Sequence, residues 1–172
     1  MDEFWKKGYE STSLNDLCCC TGLHKGSLYQ AFGDKHQLFM RSLNRYADRE
    51  YKTIASAALE QESPLDSIRT LVRMVCEHAA EGRGCLMINS MVELAPHDPE
   101  VRDMLAQEGQ RRIGVMAELL TKAQELGEIR AELDPLKLAQ QLMVGLAGSA
   151  ALVKGLITTE EVMELLESMI DL

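Results

Sequence analysis

A chain of 172 residues, 46% of them hydrophobic, is long enough to bury a sizeable core in one or two domains. With only 4 Pro and 12 Gly it is neither collagen-like nor disordered, no apolar run reaches the roughly 20 residues of a membrane span, and Met1–Lys7 lacks the apolar stretch of a secretory signal. These features predict a soluble cytoplasmic protein, and 5 Cys at irregular spacing do not read as a disulfide framework. The formal net charge of −9 speaks against a nucleic-acid partner, but the charge is uneven: residues 1–52 balance at +1 and residues 53–172 at −10. What matters for phosphate is the face that meets it, not the total.

The pattern is helical throughout, with no alternating segment flanked by hairpin turn pairs. Phe4-Trp5 and the lysines after them end a helix at Gly8. Ser13 caps a short helix over 14–20, with Asp16 at the third position of a capping box, and Gly22 stops it. A second short helix over 25–31 stops at Gly33. Asp34 then caps a long helix to about Ala58, with Leu38, Phe39, Leu43, Tyr46, Ala47 and Ile54 as its apolar stripe.

Ser63-Pro64 opens a helix to about Ala80, with Ile68, Leu71, Val72, Val75 and Ala79 on one face, and Gly82 and Gly84 break it. The apolar run Cys85–Leu94 predicts a buried helix. Asp98-Pro99 opens a long one over 99–126, closed by Gly127. Asp134-Pro135 opens another to about 154, and Thr158 or Thr159 opens the last. The expected architecture is all-α: a small three-helix domain (1–46) joined through the long helix to a larger helical domain (47–172).

Two short helices around Thr21-Gly22-Leu23 have the spacing of a helix-turn-helix. Gly8-Tyr9-Glu10-Ser11-Thr12-Ser13, Leu17, Gly22-Leu23, Lys25-Gly26-Ser27-Leu28-Tyr29, Phe32-Gly33-Asp34-Lys35 and Leu38-Phe39 together resemble the DNA-binding domain of TetR-type transcriptional regulators. The resemblance covers residues 4–46 without gaps and implies an effector-binding and dimerisation domain in the remainder. It also implies roles at matching positions. Ser13 touches phosphate at a helix start, Asn15, Lys25, Ser27 and Gln30 face the groove with His24 beside them, and Tyr29 and Lys35 contact phosphate. Leu17, Leu23, Leu28, Phe32 and Phe39 form the small domain's core. Two departures stand out: the family's first helix starts well before Phe4-Trp5, and Ala31 replaces a frequent His, so no groove contact is expected at 31.

Cys18, Cys19 and Cys20 are consecutive on a helix and point about 100° apart, so they cannot converge on one ion and read as small packing residues. Cys76 reads as core. Gly84-Cys85-Leu86, Asn89 and Glu93-Leu94 resemble a segment of a subset of these regulators, some of which sense electrophiles through a cysteine. At a helix start, with Arg83 near, Cys85 is the candidate thiolate. The scattered His24, His36, His78 and His97 do not read as a metal site, and no cofactor is implied.

Ten Met include Met74, Met87, Met91, Met104, Met116 and Met143 in the larger domain. Flexible, polarizable Met suits an adaptable apolar pocket, so Met74, Cys85, Met87, Met91, Met116 and Met143 are the candidate effector-sensing set. Leu138, Leu142, Gly145, Leu146, Ser149 and Leu152, the small Ala147, Gly148, Ala150 and Ala151, and the stripe Val162, Leu165, Leu166, Met169 and Ile170 predict a homodimer through helices 135–154 and 159–171, paired as a four-helix bundle. A two-fold dimer would read a near-palindromic operator. Motifs for phosphate loops, nucleophile elbows and zinc proteases are lacking, so an enzyme is not expected. The leading reading is a ligand-responsive DNA-binding repressor, released by a small-molecule or electrophile effector. The alternative is a dimeric small-molecule-binding protein whose DNA grip is impaired by the short first helix.

Overall fold

A computed structural model describes residues 1–59, 61–80, 84–152 and 155–171, with the backbone alone for residues 54, 57–59, 78–80, 150–151 and 170–171. The expectations for Ile54, Ala58, His78, Ala79, Gly82, Arg83, Ala150, Ala151 and Ile170 fall, in whole or for their side chains, outside the described residues. The elements are α1 (Asp2–Lys7), α2 (Leu14–Thr21), α3 (Lys25–Phe32), α4 (Lys35–Leu59), α5 (Pro64–Ala80), α6 (Leu86–Glu93), α7 (Pro99–Glu125), α8 (Pro135–Leu152) and α9 (Thr159–Asp171). The fold is all-helical, with no strand among the described residues. None of the described helices is long and apolar enough to cross a membrane.

Six of the helix starts, those of α2, α4, α5, α7, α8 and α9, follow from side-chain caps, each worth about 1 kcal/mol. The Asp16 N–H donates to Ser13 Oγ, and the Asp16 carboxylate accepts the Ser13 N–H in return. Asp34 accepts from Gln37 N–H, Ser63 from Asp66, Asp98 from Val101, and Asp134 from Leu136 and Lys137. Thr158 and Glu161 form a second reciprocal pair. Pro at the first position of α5, α7 and α8 needs no hydrogen-bond acceptor there. Gly22 ends α2 in the left-handed conformation, with φ 69°, which a side chain would strain.

The chain divides into two compact units, residues 1–50 with 86–105, and residues 51–85 with 106–172. The sequence reading places 86–105 in the second domain, whereas the structure groups it with the first. The physical reason is a set of polar links, described below, that joins the end of α6 to the turn after α1 and the start of α7 to α4.

In the first unit an aromatic cluster sits at the centre. Phe4 meets Phe39 edge-on with ring centroids 5.2 Å apart, Tyr9 meets Phe39 at 5.0 Å, and Trp5 meets Tyr46 at 5.0 Å. Leu17, Leu28 and Phe39 are buried as the core reading requires, and Leu43 of the α4 stripe is buried with them. Leu23, expected in the core, is 39% exposed, because it lies in the turn between α2 and α3 rather than on either helix. Phe32 is half-buried at the end of α3, with the Arg41 guanidinium 5.7 Å from its ring centroid. Cys18 is half-buried, while Cys19 and Cys20 are exposed, so the latter two are not packing residues.

In the second unit Leu65, Ile68, Leu71, Val72 and Cys76 of α5 pack with Met116, Leu120 and Ala123 of α7, with Leu138, Leu142 and Leu146 of α8, and with Val162 and Leu166 of α9. Burial pushes the Cys76 thiol upward and keeps it protonated. Gly145 permits close approach of α8 and α9: a Cβ there would lie 2.5 Å from Leu166 Cδ2.

Candidate nucleic-acid interface

α3 buries one side chain, Leu28, and leaves Lys25, Gly26, Ser27, Tyr29, Gln30 and Ala31 exposed. With Leu28 buried and Phe32 half-buried, a helix of eight residues leaves most of its surface for a partner. The basic and amide groups Lys25 and Gln30, the Ser27 hydroxyl and the Tyr29 phenol, 41% exposed, lie on this surface. Ala31 offers no polar group. Asn15 is exposed on the first turn of α2, and His24 is exposed at the residue preceding α3.

α2 is fixed by charge as well as by packing. Lys7 Nζ donates to Asp16 Oδ1 at 2.7 Å and lies 3.2 Å from Glu3. Ser13 Oγ donates to Asp16 Oδ2 at 2.7 Å while accepting the Asp16 N–H at 3.1 Å. The hydrogen bond from Lys7, with those from the Ser13 hydroxyl and N–H, holds the Asp16 carboxyl well below the usual carboxylate range. The same pairing with Asp16 and Glu3 raises Lys7 above its ordinary value. Ser13 therefore spends its hydroxyl on the capping box, and a phosphate at this helix start would meet backbone N–H groups more readily than that hydroxyl.

Lys35 is half-buried at the first position of α4. Its Nζ lies 3.4 Å from the Glu10 carbonyl oxygen, to which it donates, and 4.3 Å from the centroid of the Tyr9 ring. Desolvation pushes the Tyr9 phenol up, with Glu10 adding to it.

The turn that carries Tyr9 and Glu10 is pinned from the far end of α6. The Glu93 carboxylate accepts the Tyr9 N–H at 3.0 Å on Oε2 and the Glu10 N–H at 2.9 Å on Oε1. Thr12, fully buried, donates its hydroxyl to the Gly8 carbonyl at 2.6 Å. A second link joins α4 to the start of α7, where His36 Nε2 lies 2.7 Å from Asp98 Oδ2. Desolvation opposes ionisation of Asp98, but the Val101 N–H and His36 outweigh it and hold the carboxyl below its ordinary value. The sequence reading gives Asp98 a capping role only, and assigns no contact with the first helices to Glu93, Asp98 or His36. The first two belong to the acidic remainder of the chain and meet their partners only through the fold.

The candidate sensing residues do not gather in one place. Met116 is 5% exposed in the core of the second unit, Met143 packs against that core, and Met74 is half-buried on α5. Met87 is buried, and Met91 is 43% exposed; both lie on α6 in the first unit. Met91 is thus a surface residue, because it sits on the outer side of a helix whose inner side is formed by Leu86, Met87 and Ser90. Cys85 is half-buried and immediately precedes α6.

The expected dimer stripe also turns inward. Leu138, Leu142, Leu146 and Ser149 are buried within this chain, as are Val162 and Leu166. The apolar side chains left outside are Leu136 at 53%, Val144 at 74% and Leu152 at 40% on α8, and Leu165 at 60% on α9. A shallow depression of about 470 Å³ lies on this outer side, lined by Lys137, Gln140, Gln141, Val144, Gly145 and Met169.

The chain matches the family of bacterial regulatory proteins named tetR over residues 1–41, and the tetracyclin repressor-like C-terminal domain over residues 64–169. It is 32% identical to the HTH-type transcriptional repressor ComR of Escherichia coli (strain K12) over 146 residues, 83% of this chain and 70% of that protein. It is 28% identical to the HTH-type transcriptional repressor DhaR of Mycobacterium sp. (strain GP1), over 85% of this chain and 74% of that one. Among solved structures, the TetR family transcriptional regulator CifR, in complex with 26-bp double-strand operator DNA, superposes with a TM-score of 0.81 at 26% identity, covering 98% of this chain and 90% of that chain. The chain belongs to the TetR family of transcriptional regulators.

Proposed function

We propose that this regulator is a homodimeric repressor that holds a near-palindromic operator and releases it when a small molecule occupies its second unit. The observation that carries the DNA reading is the exposure of Lys25, Ser27, Tyr29 and Gln30 around a helix whose one fully buried side chain is Leu28. Lys25 and Gln30 read base edges from the major groove, with Asn15 beside them, and Tyr29, Lys35 and the start of α2 at Ser13 contact phosphates. The operator complex of the similar CifR supports double-stranded DNA as the partner.

The dimer pairs the outer faces of α8 and α9, where Leu136, Val144, Leu152 and Leu165 stand exposed, rather than the stripe that the protomer itself buries. Release follows from a change in the second unit that reaches the reading head along α4 and through the Glu93 and Asp98 links. Cys85, at the start of α6, is the candidate for an electrophile-triggered version of the same release, and Cys85→Ser separates the two, since it leaves a reversible effector's response intact.

Selection of bound sequences from a randomised duplex pool tests the reading directly. Recovery of a palindrome bound at least a hundredfold more tightly than its scrambled counterpart supports it. Equal affinity for the two sinks specific repression.

A further inference from the structure

α7 carries its burial as a stripe. In the second unit Met116, Leu120 and Ala123 are 5%, 0% and 0% exposed. Stepping back along the same face by three or four residues reaches Arg112 and Glu108. A guanidinium and a carboxylate thus occupy positions where the helix otherwise buries apolar groups.

Both residues are half-buried, and three of their polar atoms are shut away from solvent. Arg112 Nε, Arg112 Nη2 and Glu108 Oε2 are buried without a hydrogen-bond partner. Glu108 has charge compensation, since its Oε2 lies 3.2 Å from Arg111 Nη2, off the hydrogen-bonding direction. Arg111 is in turn seated over the Tyr51 ring, 3.8 Å from its centroid. Arg112 has no such neighbour among the described ion pairs, although the chain as a whole holds 27 acidic residues against 18 basic. Buried donors are satisfied almost everywhere in folded proteins, and an orphaned charged donor asks for an explanation.

The identity of the two orphaned atoms narrows that explanation. Nε and Nη2 lie on one edge of the guanidinium plane, the edge that meets a carboxylate side-on through two parallel N–H···O bonds. We infer that Arg112 is the anchor of the effector site and that the effector is a small monocarboxylate, its two oxygens seated on Nε and Nη2. Glu108, one turn away, disfavours a second negative charge on the ligand and so discriminates against phosphate esters. Met116, one turn further on and packed in the core, is the flexible apolar side chain that would shift to admit a short hydrocarbon tail. This inference rests on the effector-responsive reading and names the ligand class of that site.

The test uses the full chain with butyrate and benzoate as probes, and butyramide and benzamide as neutral isosteres. Binding is followed by calorimetry and thermal shift, with the Arg112 Nε–H resonance as a local readout. At least one acid should raise the melting temperature by several degrees and shift that resonance, while its amide does neither. Arg112→Lys keeps the charge but loses the fork and should weaken acid binding tenfold or more. Arg112→Met should abolish acid binding and raise the melting temperature of the ligand-free protein, because it removes an unpaired buried charge.

Equal response to acid and amide, no response to either acid, undiminished acid binding by Arg112→Lys, or an Arg112→Met protein that melts below wild type would each overturn the proposal. Operator affinity separates it from the reading beneath it. Acids that bind through Arg112 without loosening the operator leave the anion site standing and remove effector control. A neutral compound that releases the operator while the acids do not bind does the reverse.

Discussion

Gly8 makes room for Glu93. A Cβ at Gly8 would lie 2.9 Å from both carboxylate oxygens, and the Gly8 φ of 82° is one that side chains rarely adopt. The same carboxylate accepts the N–H groups of the next two residues, so backbone conformation and hydrogen bonding select one seat for the turn between α1 and α2. Gly8→Ala should cost about 2 kcal/mol from left-handed strain and displacement of Glu93. Glu93→Ala should cost a similar amount, about 1–3 kcal/mol, by leaving two N–H groups without their acceptor. Glu93→Gln, which keeps one oxygen, should fall between it and wild type. Chemical denaturation checks the order, and amide exchange at Tyr9 and Glu10 should quicken in Glu93→Ala without quickening in the core of α5.

Asp16 sets an acid limit for the reading head. Its folded carboxyl lies well below the ordinary value of 3.8, chiefly through Lys7 and then Ser13. A carboxyl whose folded value is depressed adds stability that is fully present above the unfolded value and is lost as pH falls through the folded one. The Asp16 contribution should therefore be whole at neutral pH and decline below about pH 4. Asp16→Asn should lower the melting temperature at pH 7, and the gap from wild type should close as pH falls from 4 toward 2. A gap that stays constant over that window would show that charge plays no part in the cap.

The helix boundaries were legible because the chain marks them with local chemistry. Ser13, Asp34, Ser63, Asp98, Asp134 and Thr158 each cap the helix that follows, and such a bond needs only neighbours three residues away. The pairing of α6 with the first unit was not legible, since Glu93 meets Tyr9 across 84 residues of sequence. The stripe Leu138, Leu142 and Leu146 was legible as buried, but periodicity does not say whether a helix's own chain or a second copy covers it. The clue lay outside that stripe, where Leu136, Val144 and Leu152 stay exposed although α8 already has a buried face. Arg112 was readable too, as a charge on the line through Met116 and Leu120, but only once that line was known to face inward.

Two neighbours on α8 separate assembly from folding. Val144 is 74% exposed and Gly145 faces Leu166 of the same chain. Val144→Glu should leave the melting temperature of a dilute sample nearly unchanged while shifting sedimentation velocity from dimer toward monomer. Gly145→Ala should act on the fold, costing about 1–3 kcal/mol unless the end of the Leu166 side chain rotates away. Dimerisation unaffected by Val144→Glu would place the interface elsewhere.

Lys25 and Lys35 should fail differently on DNA. Lys25 projects from the exposed surface of α3, the surface proposed to meet base edges, whereas Lys35 starts α4 and leans on the Tyr9 ring and the Glu10 carbonyl. Lys25→Ala should relax base preference at one operator position by about 1–3 kcal/mol, with other positions unchanged. Lys35→Ala should weaken selected and scrambled duplexes alike and flatten the dependence of log affinity on log salt by about 2, from one phosphate contact in each protomer at roughly 0.9 apiece. Because Lys35 also braces the turn held by Glu93, its loss should slightly lower the melting temperature, which Lys25→Ala should not. Fluorescence anisotropy at several salt concentrations distinguishes the two variants. A salt slope untouched by Lys35→Ala would mean that this ammonium remains on Tyr9 in the complex and that its role is to position the turn.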